Sequence, residues 1–283
     1  MEPLDQELVL RYVRAALAED VGSGDATTRA TVPDHATARA AMVAREEMVV
    51  CGLSFAEAAF QNLSPNVSVR RIVNDGGRVP RSTKLIEIEG PACALLTAER
   101  VALNFVQRLS GVATLAARFV EAVGGTRATI LDTRKTTPGW RILEKYAVRC
   151  GGAQNHRAGL WDMVLIKDNH LAALRDAQPN AIAGAIQRAR DRYPSLKVEV
   201  EADTLEQVEQ GIAAGADTIL LDNMSLDQLR TAVRIVGGRA KTEASGGVNL
   251  QTVRAIAETG VDYISVGAMT HSARAVDIAL DFF

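Results

Sequence analysis

The fold is decided by KVEVEADTLEQVEQGIAAGADTILLDNMSLDQLRTAVRIVGG, residues 197–238, in which an apolar run is twice followed by a polar turn and an amphipathic stretch. The runs KVEVE and TILLD have the length and composition of buried strands. The stretches after them place apolar residues three and four apart and end at glycine, which is typical of helices. Thr204 and Ser225 are the predicted N-caps. The pattern predicts parallel βαβ units with a repeat of about 22 residues.

The same alternation extends over the chain from about residue 127 onward. Further strand-like runs are ATILD, MVLIKD, AKTEAS and DYISVG, with helical stretches between them. Parallel strands that alternate with helices in this way predict a barrel-like α/β domain. The region before residue 110 has a different pattern: residues 4–19 and 92–118 are predicted helices, and strand-like segments lie between them. This region is predicted to be a separate α+β domain.

The composition argues against several classes of protein. The chain has 283 residues, and its 32 Lys and Arg against 34 Asp and Glu give a formal net charge of −2. This balance creates no overall field that would attract nucleic acid or an anionic membrane, so neither is an expected partner. The sequence has no stretch of membrane-spanning length and no pattern of a secretory signal at its start, so a cytoplasmic location is expected.

The cysteines and histidines give no sign of a metal site. Cys51, Cys93 and Cys150 are odd in number, far apart in the sequence and without a C-x-x-C spacing, which is typical of reduced thiols in a cytosol. The four histidines lack a metal-ligand spacing such as H-E-x-x-H. We therefore expect the cysteines to be small core or surface residues and not ligands.

Cationic residues follow the predicted barrel strands at their C-terminal ends, where a parallel barrel builds its active site. The stretch ILDTRKTTPGW contributes Arg134 and Lys135, GGAQNHRAGL contributes His156 and Arg157, and MVLIKDNH contributes Lys167. Such residues can bind carboxylates or a pyrophosphate, because arginine binds a carboxylate through two hydrogen bonds. A solvated strand-to-helix loop is the simpler interpretation of each stretch by itself.

Two acidic residues, Glu201 and Asp222, end later strands of the same predicted barrel. Their carboxylates could accept hydrogen bonds from sugar hydroxyls, hold Mg²⁺ or stabilise a carbocation, or they could be paired with lysines inside the barrel. The stretch EASGGVN offers a phosphate cup before a helix predicted to begin near Asn249, although a plain turn would also use its two glycines. The combination predicts a site for a phosphorylated sugar beside a polyanionic partner.

Two other functions remain open at this stage. A lysine at the end of a barrel strand also permits a Schiff-base aldolase with Lys167 as its nucleophile, and the neighbouring cations would favour it by depressing the pKa of the lysine. The same cations serve a dianion-binding site without any covalent step. A non-catalytic phosphosugar-binding regulator is the other alternative, but it would have no use for Glu201 and Asp222 beside a cationic wall.

Several stretches closely resemble the quinolinate phosphoribosyltransferase family and together extend over essentially the whole chain. They are EDVGSGDATT, LLTAERVALNFVQRLSGVAT, TRKTTPGWRILEKYAV, GGAQNHRAGLWDMVLIKDNH, VEVEADTLEQ, ILLDNMSLDQL, EASGGVN and ISVGAMTHS. The sequence departs from the family's pattern at Ala153, where a glycine is usual, and in EEMVVCG, where a glycine more often precedes the apolar pair. Neither departure touches a charged site position.

The resemblance implies an N-terminal open α/β sandwich domain over residues 1–112 and an incomplete, seven-stranded TIM-like α/β barrel over residues 113–270. The C-terminal segment, residues 271–283, is expected to return to the N-terminal domain. The resemblance further implies a homodimer with shared active sites and is compatible with a hexamer of dimers.

The resemblance also implies a reaction. It is the Mg²⁺-dependent transfer of a phosphoribosyl group from 5-phosphoribosyl-1-pyrophosphate to the ring nitrogen of quinolinate, followed by decarboxylation. The products would be nicotinate mononucleotide, pyrophosphate and CO₂, as in de novo NAD biosynthesis. A related enzyme for nicotinate or another heterocyclic acid is the nearest alternative. The resemblance places five cationic residues around the acceptor, and this number favours a diacid, because one carboxylate needs fewer. They are Arg134, His156, Arg157, Lys167 and Arg100 of the partner subunit.

The residue roles that the resemblance implies fall into three sets. The catalytic residues are Lys135, Glu201 and Asp222. Quinolinate is expected to be bound by Arg134, His156, Arg157 and Lys167, together with Arg100 of the partner subunit. Phosphoribosyl pyrophosphate is expected to be bound by Lys135, Glu201, Asp222, Ser245, Gly246, Gly247, Gly267 and His271. Mg²⁺, the expected cofactor, would be held through the pyrophosphate, with Glu201 and Asp222 as further candidate ligands.

Overall fold

The computed structural model describes residues 2–174 and 176–283. Contacts between residues divide the chain into two compact units. The first unit comprises Met1–Ala117, Leu143–Gly152 and Ala273–Phe283, and the second comprises Arg118–Ile142 and Ala153–Ser272. The first unit therefore includes the C-terminal residues of the chain and one short internal segment.

Helices and strands alternate over most of the chain. The helices, in chain order, are α1 (Gln6–Val21), α2 (Ala26–Thr31), α3 (Leu53–Leu63), α4 (Ala92–Ala122), α5 (Arg141–Cys150), α6 (Asp168–Ala172), α7 (Ala181–Arg192), α8 (Leu205–Ala213), α9 (Leu226–Val236), α10 (Val253–Ala257) and α11 (Ala268–His271). The strands are β1 (Thr37–Ala44), β2 (Met48–Val49), β3 (Ser68–Arg71), β4 (Arg78–Val79), β5 (Lys84–Pro91), β6 (Thr129–Leu131), β7 (Val164–Ile166), β8 (Val198–Ala202), β9 (Thr218–Asp222), β10 (Lys241–Ser245), β11 (Tyr263–Ser265) and β12 (Ile278–Phe282).

The first unit is built on a four-stranded antiparallel sheet in the order β12-β1-β5-β3. The last strand of the chain pairs with the first, so that Ala44 lies opposite Ile278. Phe55 of α3 stacks on Phe105 of α4 with ring centroids 4.7 Å apart, and Ile86 of β5 is fully buried. Burial of each such side chain stabilises the unit by roughly 1.5–3 kcal/mol. Sheet and helices together confirm the predicted α+β domain.

The second unit contains six parallel strands in the order β6-β11-β10-β9-β8-β7. This sheet confirms the predicted parallel βαβ units. Across one edge of the sheet, Gln154 forms a one-residue parallel bridge with Leu131: its N–H donates to the carbonyl of Ile130 at 2.9 Å, and its carbonyl accepts from the N–H of Asp132 at 3.0 Å. Among the described residues, the seventh strand that the resemblance implies is present as this bridge.

The predicted helix boundaries are confirmed at two N-caps. The hydroxyls of Thr204 and Ser225 accept from the N–H three residues on, and the glutamine at that position bonds back to the cap N–H, which completes a capping box at each site. Each cap stabilises its helix by about 1 kcal/mol. The helix predicted near Asn249 begins only at Val253, so that prediction is wrong. Asn249 accepts from the N–H of Thr252 at 3.1 Å and so holds the chain in a turn before the helix.

Candidate active site

A cavity of about 690 Å³ opens at the C-terminal ends of the parallel strands in the second unit. The predicted site residues that line it are Arg134, Lys135, His156, Arg157, Lys167, Glu201, Asp222, Ser245, Gly246 and Gly247. We call Arg134, His156, Arg157 and Lys167 the cationic cluster. We call Glu201, Asp222, Ser245, Gly246 and Gly247 the phosphosugar cluster. The alternation of strand and helix brings them together, because the ends of parallel strands converge.

Gly267 and His271 lie beside Lys135. A Cβ atom added to Gly267 would lie 3.2 Å from Cδ of Lys135 and 3.2 Å from Nε2 of His271, so the missing side chain leaves room for both. The hydroxyl of Thr270 donates to the carbonyl of Lys135 at 2.7 Å and links α11 to the loop after β6. The ring Nδ1 of His271 lies 2.6 Å from the hydroxyl of Ser272.

Arg100 is an exposed residue of α4 in the first unit. The residues that line the cavity belong to the second unit. The assignment of Arg100 to the active site of a neighbouring subunit therefore stays a prediction.

The two carboxylates of the phosphosugar cluster have different partners. Glu201 is 9% exposed, and its Oε2 accepts from Nζ of Lys167 at 2.6 Å, so this glutamate is paired with a lysine, as one sequence interpretation allowed. Asp222 is half-buried and accepts from the side-chain amide of Asn223 at 2.6 Å. Because an amide carries no net charge, Asp222 keeps more of its capacity to interact with a cationic ligand.

Gly246 can only be glycine in this arrangement. Its φ is +99°, and a Cβ atom there would lie 2.1 Å from Oδ1 of Asn223. The N–H of Asn223, itself at φ 53°, donates to the carbonyl of Ser245 at 3.0 Å and draws the two strand ends together. The side chain of Asn223 therefore packs directly on Gly246, whereas a Cβ atom on Gly247 would meet nothing within 4 Å, which leaves the main chain at Gly247 open to a ligand.

Two buried glutamates that the sequence analysis missed hold His156. Its Nε2 lies 2.9 Å from Oε2 of Glu199 and 3.4 Å from Oε2 of Glu243, and these glutamates are 1% and 2% exposed. Burial by itself would lower the pKa of His156, but the two carboxylates raise it to about 10. Burial first, and then repulsion by Glu243, raise the pKa of Glu199. His156 is accordingly cationic at neutral pH.

A signal for these glutamates was present in the sequence. Glu199 and Glu201 are two residues apart on β8, and Glu243 and Ser245 are two apart on β10, so each pair points to the same face of its strand. A carboxylate two positions before a polar strand end is therefore expected to point into the barrel beneath the site.

The loops that carry the cationic cluster are anchored at Asp132. This fully buried carboxylate accepts from the N–H of His156 at 2.8 Å and from the side-chain amide of Asn155 at 2.7 Å. Nε of Arg134 and Oε1 of Glu199 are buried, and neither has a hydrogen-bond partner among residues 2–174 and 176–283. Burial, and then the charge of Arg134, lower the pKa of Arg157. Two neighbouring guanidinium groups with an unsatisfied buried donor favour an anionic ligand.

The donor set of the phosphosugar cluster fits Mg²⁺. Glu201 and Asp222 present carboxylate oxygens to the same cavity, and Mg²⁺ prefers oxygen ligands, usually one or two carboxylates with substrate phosphates and water. Because Glu201 accepts a hydrogen bond from Lys167, Asp222 is the more available of the two.

In the described parts of the chain, no helix has the length and apolar character needed to cross a bilayer.

Comparison with known proteins gives consistent results over the whole chain. Residues 25–110 match the family description "Quinolinate phosphoribosyl transferase, N-terminal domain", and residues 112–281 match the corresponding C-terminal domain. The chain is 44% identical to the nicotinate-nucleotide pyrophosphorylase [carboxylating] of Mycobacterium leprae, with 95% of each chain covered. It is 42% identical to the probable nicotinate-nucleotide pyrophosphorylase [carboxylating] of Bacillus subtilis, with 93% of this chain and 89% of the relative covered.

A solved structure agrees with these relatives. The nicotinate-nucleotide pyrophosphorylase of Francisella tularensis superposes with a TM-score of 0.93 at 40% identity, over 99% of this chain and 98% of that one. This similarity confirms the expected combination of an N-terminal α/β domain with a TIM-like barrel. From these matches and the geometry of the cavity, we conclude that the chain belongs to the quinolinate phosphoribosyltransferase family.

Proposed function

We propose that the chain transfers the phosphoribosyl group of 5-phosphoribosyl-1-pyrophosphate to the ring nitrogen of quinolinate and then removes a carboxyl group. The products are nicotinate mononucleotide, pyrophosphate and CO₂, as in de novo NAD biosynthesis. The observation that carries this proposal is the presence of the cationic cluster and the phosphosugar cluster in one cavity. A dicarboxylate acceptor and a phosphosugar donor require both sets of groups together.

The cationic cluster binds the acceptor. Quinolinate has two adjacent carboxylates, and an anion beside Arg134 satisfies its buried Nε–H and reduces its repulsion with Arg157. His156 adds a positive charge that Glu199 and Glu243 hold in place. These contacts fix the orientation of the ring and direct its nitrogen toward the ribose. Such positioning can lower the barrier by several kcal/mol.

The phosphosugar cluster stabilises the reacting carbon. As the bond to pyrophosphate breaks, C1 of the ribose gains the positive charge of an oxocarbenium ion. Glu201 and Asp222 stabilise that charge and accept hydrogen bonds from the ribose hydroxyls. Lys167 connects the two halves of the site, because its Nζ donates to Glu201 while its side chain lines the cavity that receives the acceptor.

The phosphates of the donor are bound at two places. The main chain of Ser245, Gly246 and Gly247, with Gly267, binds the 5-phosphate, and His271 lies at its edge. Lys135 neutralises negative charge on the departing pyrophosphate. Asp222 or Glu201 would hold Mg²⁺, which would supply further neutralisation of negative charge on that leaving group.

Decarboxylation follows from the chemistry of the substrate. Once its ring nitrogen carries the ribose, the pyridine ring is cationic. When the 2-carboxylate leaves as CO₂, the electron pair of the broken carbon–carbon bond stays on the ring carbon as an ylide, and a proton then replaces the carboxyl group. The substrate thus provides its own electron sink, and the protein has only to bind, orient and neutralise.

We extend the proposal to a cytoplasmic homodimer in which Arg100 reaches the acceptor in the active site of the partner subunit. Co-expression of an Arg100→Ala chain with a Lys135→Ala chain tests this arrangement. In a mixed dimer with shared sites, one of the two active sites regains both residues, so activity returns although each variant alone is inactive. Absence of any recovery in a mixed dimer would assign Arg100 to the active site of its own subunit, and full activity of Arg100→Ala alone would place Arg100 outside any active site.

The acceptor is tested by parallel assays of the purified protein with phosphoribosyl pyrophosphate, Mg²⁺ and either quinolinate or nicotinate. We expect nicotinate mononucleotide from quinolinate alone, because the cationic cluster is adapted to two carboxylates. Product from nicotinate alone would assign the chain to the sister activity. Absence of product with both acids would favour the phosphosugar-binding regulator.

A further inference from the structure

A second cluster of reactive side chains lies in the first unit and consists of Cys51, Asp75 and Cys150. One ligand atom from each residue lies within 4.8 Å of the other two. Both cysteines are buried, and neither is in a disulfide. Three segments that are distant in the sequence thus bring two thiols and a carboxylate to one point.

Asp75 fixes the loop that carries Cys51. Its Oδ2 accepts from the N–H of Gly52 at 3.0 Å, and its Oδ1 accepts from the N–H of Leu53 at 3.1 Å, at the first turn of α3. The N–H of Cys51 donates to the hydroxyl of Ser110 at 2.9 Å. The main chain at Cys51 is therefore held from two directions.

Helix α5 contributes a second pair of donors. Cys150 is its last residue, and Tyr146 lies one turn earlier on the same face. The hydroxyl of Tyr146 donates to Oδ2 of Asp75 at 2.9 Å. The phenol oxygen therefore lies next to the carboxylate and is a fourth candidate ligand atom for a metal, beside the two sulfurs and the carboxylate. Two ligands at positions i and i+4 of a helix are a recurrent arrangement in metal sites.

The electrostatic surroundings suit an anionic metal complex. Two thiolates and one carboxylate around a divalent cation leave one net negative charge. The N-terminus of α3, a helix of 11 residues, carries a partial positive charge. The guanidinium of Arg149 lies 5.7 Å from the ring centroid of Tyr146.

We propose that Cys51, Cys150 and Asp75 form a binding site for a thiophilic divalent cation of the Zn²⁺ class, with the hydroxyl of Tyr146 as a fourth donor. Soft thiolate ligands select such an ion over Mg²⁺, which takes oxygen ligands. Binding exchanges one divalent cation for the two thiol protons, with no change in oxidation state. The site is independent of the proposed transferase activity and ties the end of α5 to the loop before α3.

Titration of the reduced, metal-free, full-length protein with Co²⁺ tests the site. We expect one equivalent to bind and to give the thiolate-to-cobalt charge-transfer absorption. Cys150→Ser and Cys51→Ser should lose this absorption, and the matched control Cys93→Ser should keep it. Binding without the absorption, or an absorption that persists in Cys51→Ser, would overturn the proposal.

A second measurement on the wild-type protein does not depend on the folding of any variant. The rates of alkylation of the three cysteines are compared by mass spectrometry with and without Zn²⁺. We expect Cys51 and Cys150 to be alkylated at least about tenfold more slowly with Zn²⁺, since a coordinated thiolate is withdrawn from reaction, and Cys93 to be unaffected. Unchanged rates, or a protein that forms a Cys51–Cys150 disulfide in air but binds no Co²⁺ when reduced, would overturn the metal site.

Discussion

The charged side chains at the two ends of the parallel sheet in the second unit differ in their hydrogen-bond partners. Asp217 and Asp262 immediately precede β9 and β11, and both carboxylates are paired. Asp217 accepts from Arg190 and from the N–H of Val198, and Asp262 accepts from Lys241, Arg127 and Thr242. Toward the opposite end, Nε of Arg134, which lines the cavity, and Oε1 of Glu199, whose other oxygen pairs with His156, are buried and have no hydrogen-bond partner among the residues that the structure describes. Each end of the sheet thus carries charge, but in the part of the chain that the structure describes the buried side-chain atoms without a hydrogen-bond partner lie on the residues around the cavity.

This difference separates stability from function. A paired carboxylate stabilises the fold, and its loss lowers the free energy of unfolding. A buried hydrogen-bond donor without a partner destabilises the ligand-free protein. A ligand that accepts a hydrogen bond from this donor removes that cost. Substitutions at the cavity end should therefore change activity more than stability, and substitutions at the other end should do the reverse.

The largest effect is expected for Glu201→Gln at the cavity end. The amide keeps the shape of the side chain but loses the charge that stabilises the ribose carbon, so kcat should fall by about 10³-fold. Circular dichroism should show an intact fold. Glu209→Gln, at an exposed position of α8, is the matched control and should retain full activity. Near-normal turnover of Glu201→Gln would contradict the role of this carboxylate.

A smaller effect is expected for Gly246→Ala. The added Cβ collides with Asn223 and displaces the main chain that binds the 5-phosphate, so kcat/KM for phosphoribosyl pyrophosphate should fall by about 10²-fold. Gly238→Ala is the control for backbone strain, because Gly238 also has positive φ but has open space around it. If both variants lose the same activity, the collision is not the cause.

An effect of about tenfold is expected for Glu199→Gln on the KM for quinolinate. Loss of one carboxylate lowers the pKa of His156 from its raised value of about 10. The cationic form exists below the pKa, so the variant should lose acceptor affinity at a lower pH than the wild type does. KM measured between pH 7 and pH 10 reports this change, because about 3.5 pH units separate the raised pKa of His156 from that of an ordinary histidine. A pH profile identical to that of the wild type would show that Glu199 does not act through His156.

The smallest effect on activity is expected for Asp262→Asn. Asp262 is an acceptor for the N–H of Thr242 and the Nζ of Lys241; burial opposes its ionisation, but these contacts lower its pKa to about 2. The stabilisation, about 2 kcal/mol, is complete above the unfolded pKa near 4 and is lost as the pH falls through about 2. Urea unfolding at pH 7 should show the loss while kcat is unchanged. A drop in kcat with normal stability would break the contrast between the two ends.

The sequence predicted the fold well where local pattern and tertiary structure agree. The βαβ repeat and the caps at Thr204 and Ser225 were predictable because periodicity and capping depend on nearby residues. The start of α10 was not, because the side chain of Asn249 holds a turn where the pattern suggested a helix. The reduction of the seventh strand to a bridge at Gln154 depends on hydrogen bonds to another strand, which no local pattern encodes.

The candidate site was predictable to a similar extent. Polar residues at strand ends could be placed together because the ends of parallel strands converge. Glu199 and Glu243 were missed, because a carboxylate inside a strand is ordinarily taken as solvent-exposed and only the tertiary structure shows its burial. The proximity of Cys51 and Cys150 was missed for the same reason: no sequence spacing relates them.

The most direct test of the central claim uses quinolinate labelled in its 2-carboxyl group. In the proposed mechanism, acceptor and donor are joined in the cavity before carbon dioxide leaves, since only the ribosylated ring can stabilise the carbanion. With Mg²⁺, labelled CO₂ should therefore appear only when phosphoribosyl pyrophosphate is present, in equal amount to nicotinate mononucleotide. Release of labelled CO₂ without the phosphosugar, or formation of mononucleotide without loss of the label, would contradict it.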